Sequence, residues 1–153
     1  MIKGRIPKIV SGGQTGADRA ALDWALWRGV ECGGWCPKGR RAEDGAIPWK
    51  YPLIETPSAK YVQRTEWNVR DSGGTVIFSI GENLSGGSHK TLEFTEKHRK
   101  PCLHIHPGVK DAGKKLRDFV LENEITTLNV AGARASKEPG IADFVREVFN
   151  EAF

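Results

Sequence analysis

Val10-Ser11-Gly12-Gly13-Gln14-Thr15-Gly16-Ala17-Asp18-Arg19 is the stretch that decides the fold. Ile9 and Val10 end a short apolar run with the character of a buried strand. Glycines follow at 12, 13 and 16, and then Leu22, Ala25, Leu26 and Gly29 fall on one helical face. A strand, a glycine turn and a helix start together aim backbone N–H groups and a positive helix end at an anion. Without a Cβ, Gly12 and Gly13 let the backbone turn sharply and approach a ligand. Thr15 and Asp18 have capping-box spacing, which sets the helix start here. The stretch matches neither Gly-x-Gly-x-x-Gly nor a P-loop. Where a dinucleotide site needs an acid about 20 residues on, the chain has the basic run Trp35-Cys36-Pro37-Lys38-Gly39-Arg40-Arg41.

Outward from this turn, strand and helix patterns alternate. Glu31–Gly34 reads as a second strand, and Trp35–Pro57 is long enough for a functional loop. A helix is expected over Ser58–Asp71, with Tyr61, Val62, Thr65 and Val69 inward. Thr75–Phe78 is a third strand, and a helix is expected to begin at Ser88, carry Leu92 and Phe94, and end near His98. Pro101–His106 and Thr126–Ala131 are strands around a helix with Ala112, Leu116, Phe119 and Val120 on its face. Pro139-Gly140 opens a terminal helix striped by Ile141, Phe144, Val145, Val148 and Phe149. This alternation predicts an α/β fold: a mainly parallel sheet of five strands or slightly more, with helices on both faces and ligands at the carboxyl ends of the strands. Four loops with glycine and hydroxyl or basic residues leave those ends: Ser11–Arg19, Trp35–Arg41, Gly81–Thr91 and Gly132–Ser136.

Bulk properties narrow the function. At 153 residues the chain is expected to form one domain, residues 1–153, with a core of its own. A net charge of +4 suits a small anion and lacks the dense basic patches of a nucleic-acid binder. The short apolar runs exclude a membrane-spanning helix. Met1–Arg5 leads into a strand, not a signal-peptide core, and three scattered cysteines make no disulfide framework, so the cytoplasm is the expected compartment.

Ser11–Asp23, Gly33–Gly45, Arg64–Val69, Gly74–Phe78, Ser85–Ser88 and Gly132–Ile141 together resemble the molybdenum cofactor carrier family over nearly the whole chain. That family is similar in turn to a Rossmann-like group that includes cytokinin-activating phosphoribohydrolases and DNA-processing A proteins. The resemblance implies a doubly wound domain, oligomeric as a dimer or tetramer, that binds a phosphorylated anion such as molybdopterin and passes it to a molybdoenzyme. Two departures stand out. Gly132-Ala133-Arg134-Ala135-Ser136 replaces the family's Gly-Pro-Arg-Glu-Ser. Ser85–Glu93 keeps the glutamate of the phosphoribohydrolase motif Pro-Gly-Gly-x-Gly-Thr-x-x-Glu but not its third glycine.

The expected site follows from these motifs. Gly12, Gly13, Gln14, Thr15 and Gly16 are expected to cradle a phosphate, with Asp18 behind them. Gly86, Gly87, Ser88 and Thr91 offer a second anion cup, although Ser88 equally fits a plain helix cap. Lys38, Gly39 and Arg40 supply a basic loop, the guanidinium fork suiting phosphate best, with Glu43 and Asp44 as possible neutralising partners. Arg64 and Asn68 share a helical face, and Arg134 with Ser136 follows the last strand. Cys36 beside Lys38 fits a thiolate or, more commonly, a packing residue. His104 and His106 are expected on one strand face as structural residues, and Trp35 is placed for stacking. No metal site is expected. The preferred function is a binding or carrier protein. The alternative is N-glycosidic hydrolysis of nucleoside monophosphates by Glu93 with Arg64.

Overall fold

The computed structural model of the chain describes residues 5–153, so most of the charged opening at 1–5 lies outside the described residues. The elements run β1 (Lys8–Val10), α1 (Ala17–Arg28), β2 (Cys32–Gly33), β3 (Trp35–Cys36), β4 (Arg41–Ala42), β5 (Gly45–Ala46) and β6 (Ile54–Glu55). They continue with α2 (Tyr61–Arg70), β7 (Gly74–Phe78), α3 (Gly86–Lys97), β8 (Cys102–Ile105), α4 (Ala112–Glu122), β9 (Thr127–Gly132) and α5 (Ile141–Ala152). Five strands form one parallel sheet in the order β2-β1-β9-β7-β8. Its register pairs Ile9 with Leu128, Thr75 with Asn129 and Ile77 with His104.

Counted from β7 and continued through β9 to β1 and β2, the sheet order is 2-1-3-4-5, a common doubly wound arrangement. The chain is therefore a circular permutation of that topology. Right-handed crossovers assign the faces. The β1-to-β2 and β8-to-β9 connections travel one way across the sheet and β7-to-β8 the other, which puts α1 and α4 opposite α3. Accordingly α5 packs on α1 and α4, whereas α2 packs on α3. The larger core lies under α1, α4 and α5, where Trp24, Phe78 and Phe149 are buried among Ile9, Leu128 and Val145. β7 is buried along its whole length, as a central parallel strand should be.

Several local expectations change. Leu26 and Val62 are 43% and 46% exposed, because α1 and α2 bury narrower stripes than their apolar residues suggest. The capping box does not form. Gly16 occupies the N-cap of α1, the Thr15 hydroxyl donates to Glu43, and Asp18 Oδ2 accepts the Gln14 N–H at 3.2 Å. Likewise α3 begins two residues before Ser88, with Ser85 at its N-cap. The long segment after β2 is not a plain loop. Its short strands pair β3 with β6 and β4 with β5, and a small second core of Cys36, Ile47 and Tyr51 seats it on Leu22 of α1.

Candidate functional site

In a doubly wound sheet the ligand crevice opens where adjacent strands send their connections to opposite faces. Here those strands are β7, which leads to α3, and β9, which leads to α5. A cleft of about 590 Å³ lies at this point. Gln14, Asp18 and Arg64 line it, as do Tyr61 on one wall and the Ser79–Thr91 and Ala131–Glu138 segments.

Arg64 is the most telling residue. Its side chain is only 16% exposed, and it stands 3.5 Å from Asp18 Oδ2 and 5.6 Å from the Tyr61 ring centroid. Among the described residues its Nε has no hydrogen-bond partner, and neither has the buried Oε1 of Gln14. A buried donor without a partner carries a cost of roughly 1–3 kcal/mol, so this guanidinium is poised for an acceptor. Burial pushes the Asp18 carboxyl up and the Arg64 guanidinium down from their ordinary values, and each charge partly offsets the shift of the other.

The glycine turn serves that arginine. A Cβ at position 12 would run into the Arg64 side chain, 2.8 Å from its Cδ. Gly13, at φ +74°, faces Leu53 and Ile47 instead of the cleft. Protein groups already occupy three of the nearby backbone donors. Gly13 N–H donates to Ser11 Oγ at 3.3 Å, Gln14 N–H to Asp18, and Ala17 N–H to the Ala133 carbonyl at 3.1 Å. The turn thus seats a cation, the Arg64 guanidinium, against Gly12.

The open donors lie on the other side of the cleft. Gly86 and Gly87 begin α3, and among the described residues no hydrogen bond engages their amides. Ser88, Lys90 and Thr91 line the cleft from the same helix, with Thr91 Oγ1 donating to the Gly87 carbonyl at 3.0 Å. Arg134 and Lys137 line it from the segment after β9, and Lys137 Nζ lies 3.2 Å from where a Gly86 Cβ would stand. The sequence reading missed Tyr61 as a cleft wall, and it missed Ser79, Lys90, Lys137 and Glu138. Lys137 and Glu138 sit inside the Gly132–Ile141 motif, which was the only signal that could have found them.

Other expected site residues lie elsewhere. Arg40 is 3% exposed, and its guanidinium donates to the carbonyls of Ile47, Pro48, Tyr51 and Leu53 at 2.8–3.3 Å. It fastens the segment after β2 and does not face the cleft. Lys38 and Gly39 are exposed beside it, with the Gly39 N–H donating to Glu55. The Asn68 side-chain amide donates to the Trp35 carbonyl and accepts from the Trp35 N–H. Trp35 packs edge-on against Trp67, with its indole N–H on Asp71, outside the cleft. Thr15 and Ser136 both donate to Glu43, and Gly16 closes on the backbone of 133–135. Burial pushes the Cys36 thiol up, which matches a packing role. The His104 and His106 rings have their centroids 5.3 Å apart, His104 within β8 and His106 just past its end. Glu93 is exposed on α3, held by His89 at 3.1 Å and Lys90 at 3.6 Å, and does not line the cleft with Arg64.

The fold and the cleft define a Rossmann-like α/β protein with a cleft at the topological switch point. A family model matches residues 9–153, and the chain belongs to that family, the circularly permutated YpsA SLOG family. The chain is 45% identical to a protein from Syntrophus aciditrophicus SB whose crystal structure carries the name "putative molybdenum carrier protein". The two align over 97% of this chain and 95% of the other, with a TM-score of 0.93. No curated protein matches the chain. Among the described residues no helix is long and apolar enough to cross a membrane.

Proposed function

We propose that this chain binds and carries a phosphorylated, anionic small molecule of pterin or nucleotide type in the cleft between β7 and β9. The observation that carries the reading is the buried Arg64 guanidinium, held by Asp18, whose Nε has no hydrogen-bond partner among the described residues. Around it stand the free amides that open α3 and three further cations, Lys90, Arg134 and Lys137. These are the groups that a phosphate engages. Tyr61, Val62 and Leu84 supply apolar surface for a ring, in a volume normal for a small-molecule site.

The name of the Syntrophus relative suggests the molybdenum cofactor as cargo. The donor set fits its phosphate, and Arg64 with α3 would hold that end while Tyr61 would offer the pterin an aromatic wall of the cleft. When bound, that cofactor supplies an oxo-metal centre for redox chemistry in an enzyme. None of Cys32, Cys36 and Cys102 lines the cleft. This chain's side chains would therefore grip the organic part and leave the metal's own ligands in place, which is what a carrier requires.

Arg64→Lys tests the reading. It keeps the charge opposite Asp18 and loses the planar fork. Native mass spectrometry of protein purified without oxygen should find a phosphorylated ligand on the wild type. The variant should retain at least about tenfold less, a loss of about 1.4 kcal/mol, with its melting temperature nearly unchanged. Equal loading of a folded Arg64→Lys variant would remove Arg64, and this reading with it.

A further inference from the structure

The two rims of the cleft are tied by one carboxylate. Glu138 Oε2 accepts the backbone N–H groups of Ile80 and Gly81, both at 3.0 Å. Those amides directly follow Ser79 at the carboxyl end of β7, and Glu138 lines the cleft. Successive backbone N–H groups pointing at one oxygen form an anion-binding concavity. This one's sequence neighbours Ser79 and Asn83 line the cleft, as do Glu138, Lys137 and the open start of α3. Its occupant is a side chain from the facing loop.

We propose that the Ile80–Gly81 amides are a second anion subsite of the cleft and that Glu138 is its tethered competitor. The inference rests on the reading above, in which Arg64 and α3 hold one phosphate. It adds that the ligand carries a second anionic group, such as the next phosphate of a diphosphate, which displaces the carboxylate. Three observations carry it. The acceptor in the subsite is itself an anion. Glu138, which fills the subsite, lines the same cleft as the buried Arg64 Nε and Gln14 Oε1, and among the described residues neither of those atoms has a hydrogen-bond partner. The residue next to Glu138 is a lysine that lines the same cleft, so positive charge remains once the carboxylate leaves. Displacement would also remove one tie between the loop after β9 and the end of β7, while the bonds of that loop to Thr15 and Glu43 remain.

A tethered competitor lowers apparent affinity by the fraction of time that it vacates the subsite. Glu138→Gln keeps an oxygen for the two amides, and hence the loop, while removing the charge that competes. Titration calorimetry with pyrophosphate and with orthophosphate separates the cases. We expect Glu138→Gln to bind pyrophosphate about tenfold tighter than wild type, as for a subsite filled about nine-tenths of the time. Orthophosphate, which needs only the Arg64 end, should change much less. Glu138→Ala should shift pyrophosphate in the same direction. If both variants bind pyrophosphate no better than wild type, while wild-type binding still depends on Arg64, Glu138 is a brace and this inference falls alone. If neither wild type nor variants bind either anion, the proposed function falls and takes this inference with it. Tight pyrophosphate binding by the variants, with none by wild type, supports both.

Discussion

Arginine does two different jobs in this chain, and the difference is set by what lies within reach of each guanidinium. Arg64 faces a carboxylate and a cleft, so donors are left over. Arg40 faces four backbone carbonyls and the Trp49 ring at 4.5 Å, so four of its five N–H donors are used internally. Lysine at position 40 would keep the charge but could not satisfy four carbonyls in fixed directions. Since a lost hydrogen bond to a charged group costs roughly 1.5–3 kcal/mol, Arg40→Lys should lower stability by about 3 kcal/mol. Urea denaturation measures that, and the salt dependence of ligand binding should stay as in wild type. A variant of full stability with weakened binding would return Arg40 to the site. The sequence could not separate these roles. Both arginines lie in polar stretches, and the carbonyls that capture Arg40 come from a segment with no periodic pattern.

At the scale of elements, the turn after β1 and the loop after β9 are joined by Glu43. Its carboxylate accepts from the Thr15 and Ser136 hydroxyls and from the Ser136 N–H, and these bonds hold its pKa below the usual 4.5. For an acid whose folded pKa is lowered, the stabilising contribution is complete above the ordinary value and is lost as pH falls through the folded one. The Ser136 amide resonance should therefore titrate with an apparent pKa below 4.5, and Glu43→Gln should abolish that titration. An ordinary carboxylate midpoint would mean that the bridge does not persist in solution. The main elements themselves were legible. Apolar runs at β1, β7, β8 and β9 and the stripes of α4 and α5 are one-dimensional patterns that survive folding. The two-residue strands β3 to β6 were not, because each is too short to show a period; β3 and β6 are held by each other across the intervening segment, and β4 and β5 by a tight hairpin. The site was half legible for the same reason. Glycines, Arg64 and Ser88 stood inside recognisable motifs, whereas the pairing of Glu138 with Ile80 and Gly81 spans more than 50 residues.

For the molecule as a whole, chain order and sheet order are separable. β9 runs up to the cleft and α5 returns from it, so the chain ends at the side of the sheet where β1 begins. The interactions that define the sheet do not need the present ends. A permuted chain that opens at Gly73, begins with β7, and joins Phe153 to Arg5 through a short glycine-rich linker should fold to the same sheet. Circular dichroism and the Arg64-dependent pyrophosphate titration would check it. Loss of the fold would show that the existing order, with β1 made first, is needed to nucleate the sheet.

The seat that Gly12 makes for Arg64 links two positions 52 residues apart, and it has a consequence on the timescale of descent. Glycine in the middle of a chain is a burden to any lineage that no longer uses the space. While Arg64 lies across that backbone, every substitution at 12 meets its side chain. Once Arg64 is replaced by something short, the constraint on 12 is lifted and larger residues become acceptable. Relatives should therefore fall into two groups, those that hold both residues and those that hold neither. Lineages with arginine at 64 and a larger residue at 12 should be the rarest, having passed through a chain with a blocked cleft.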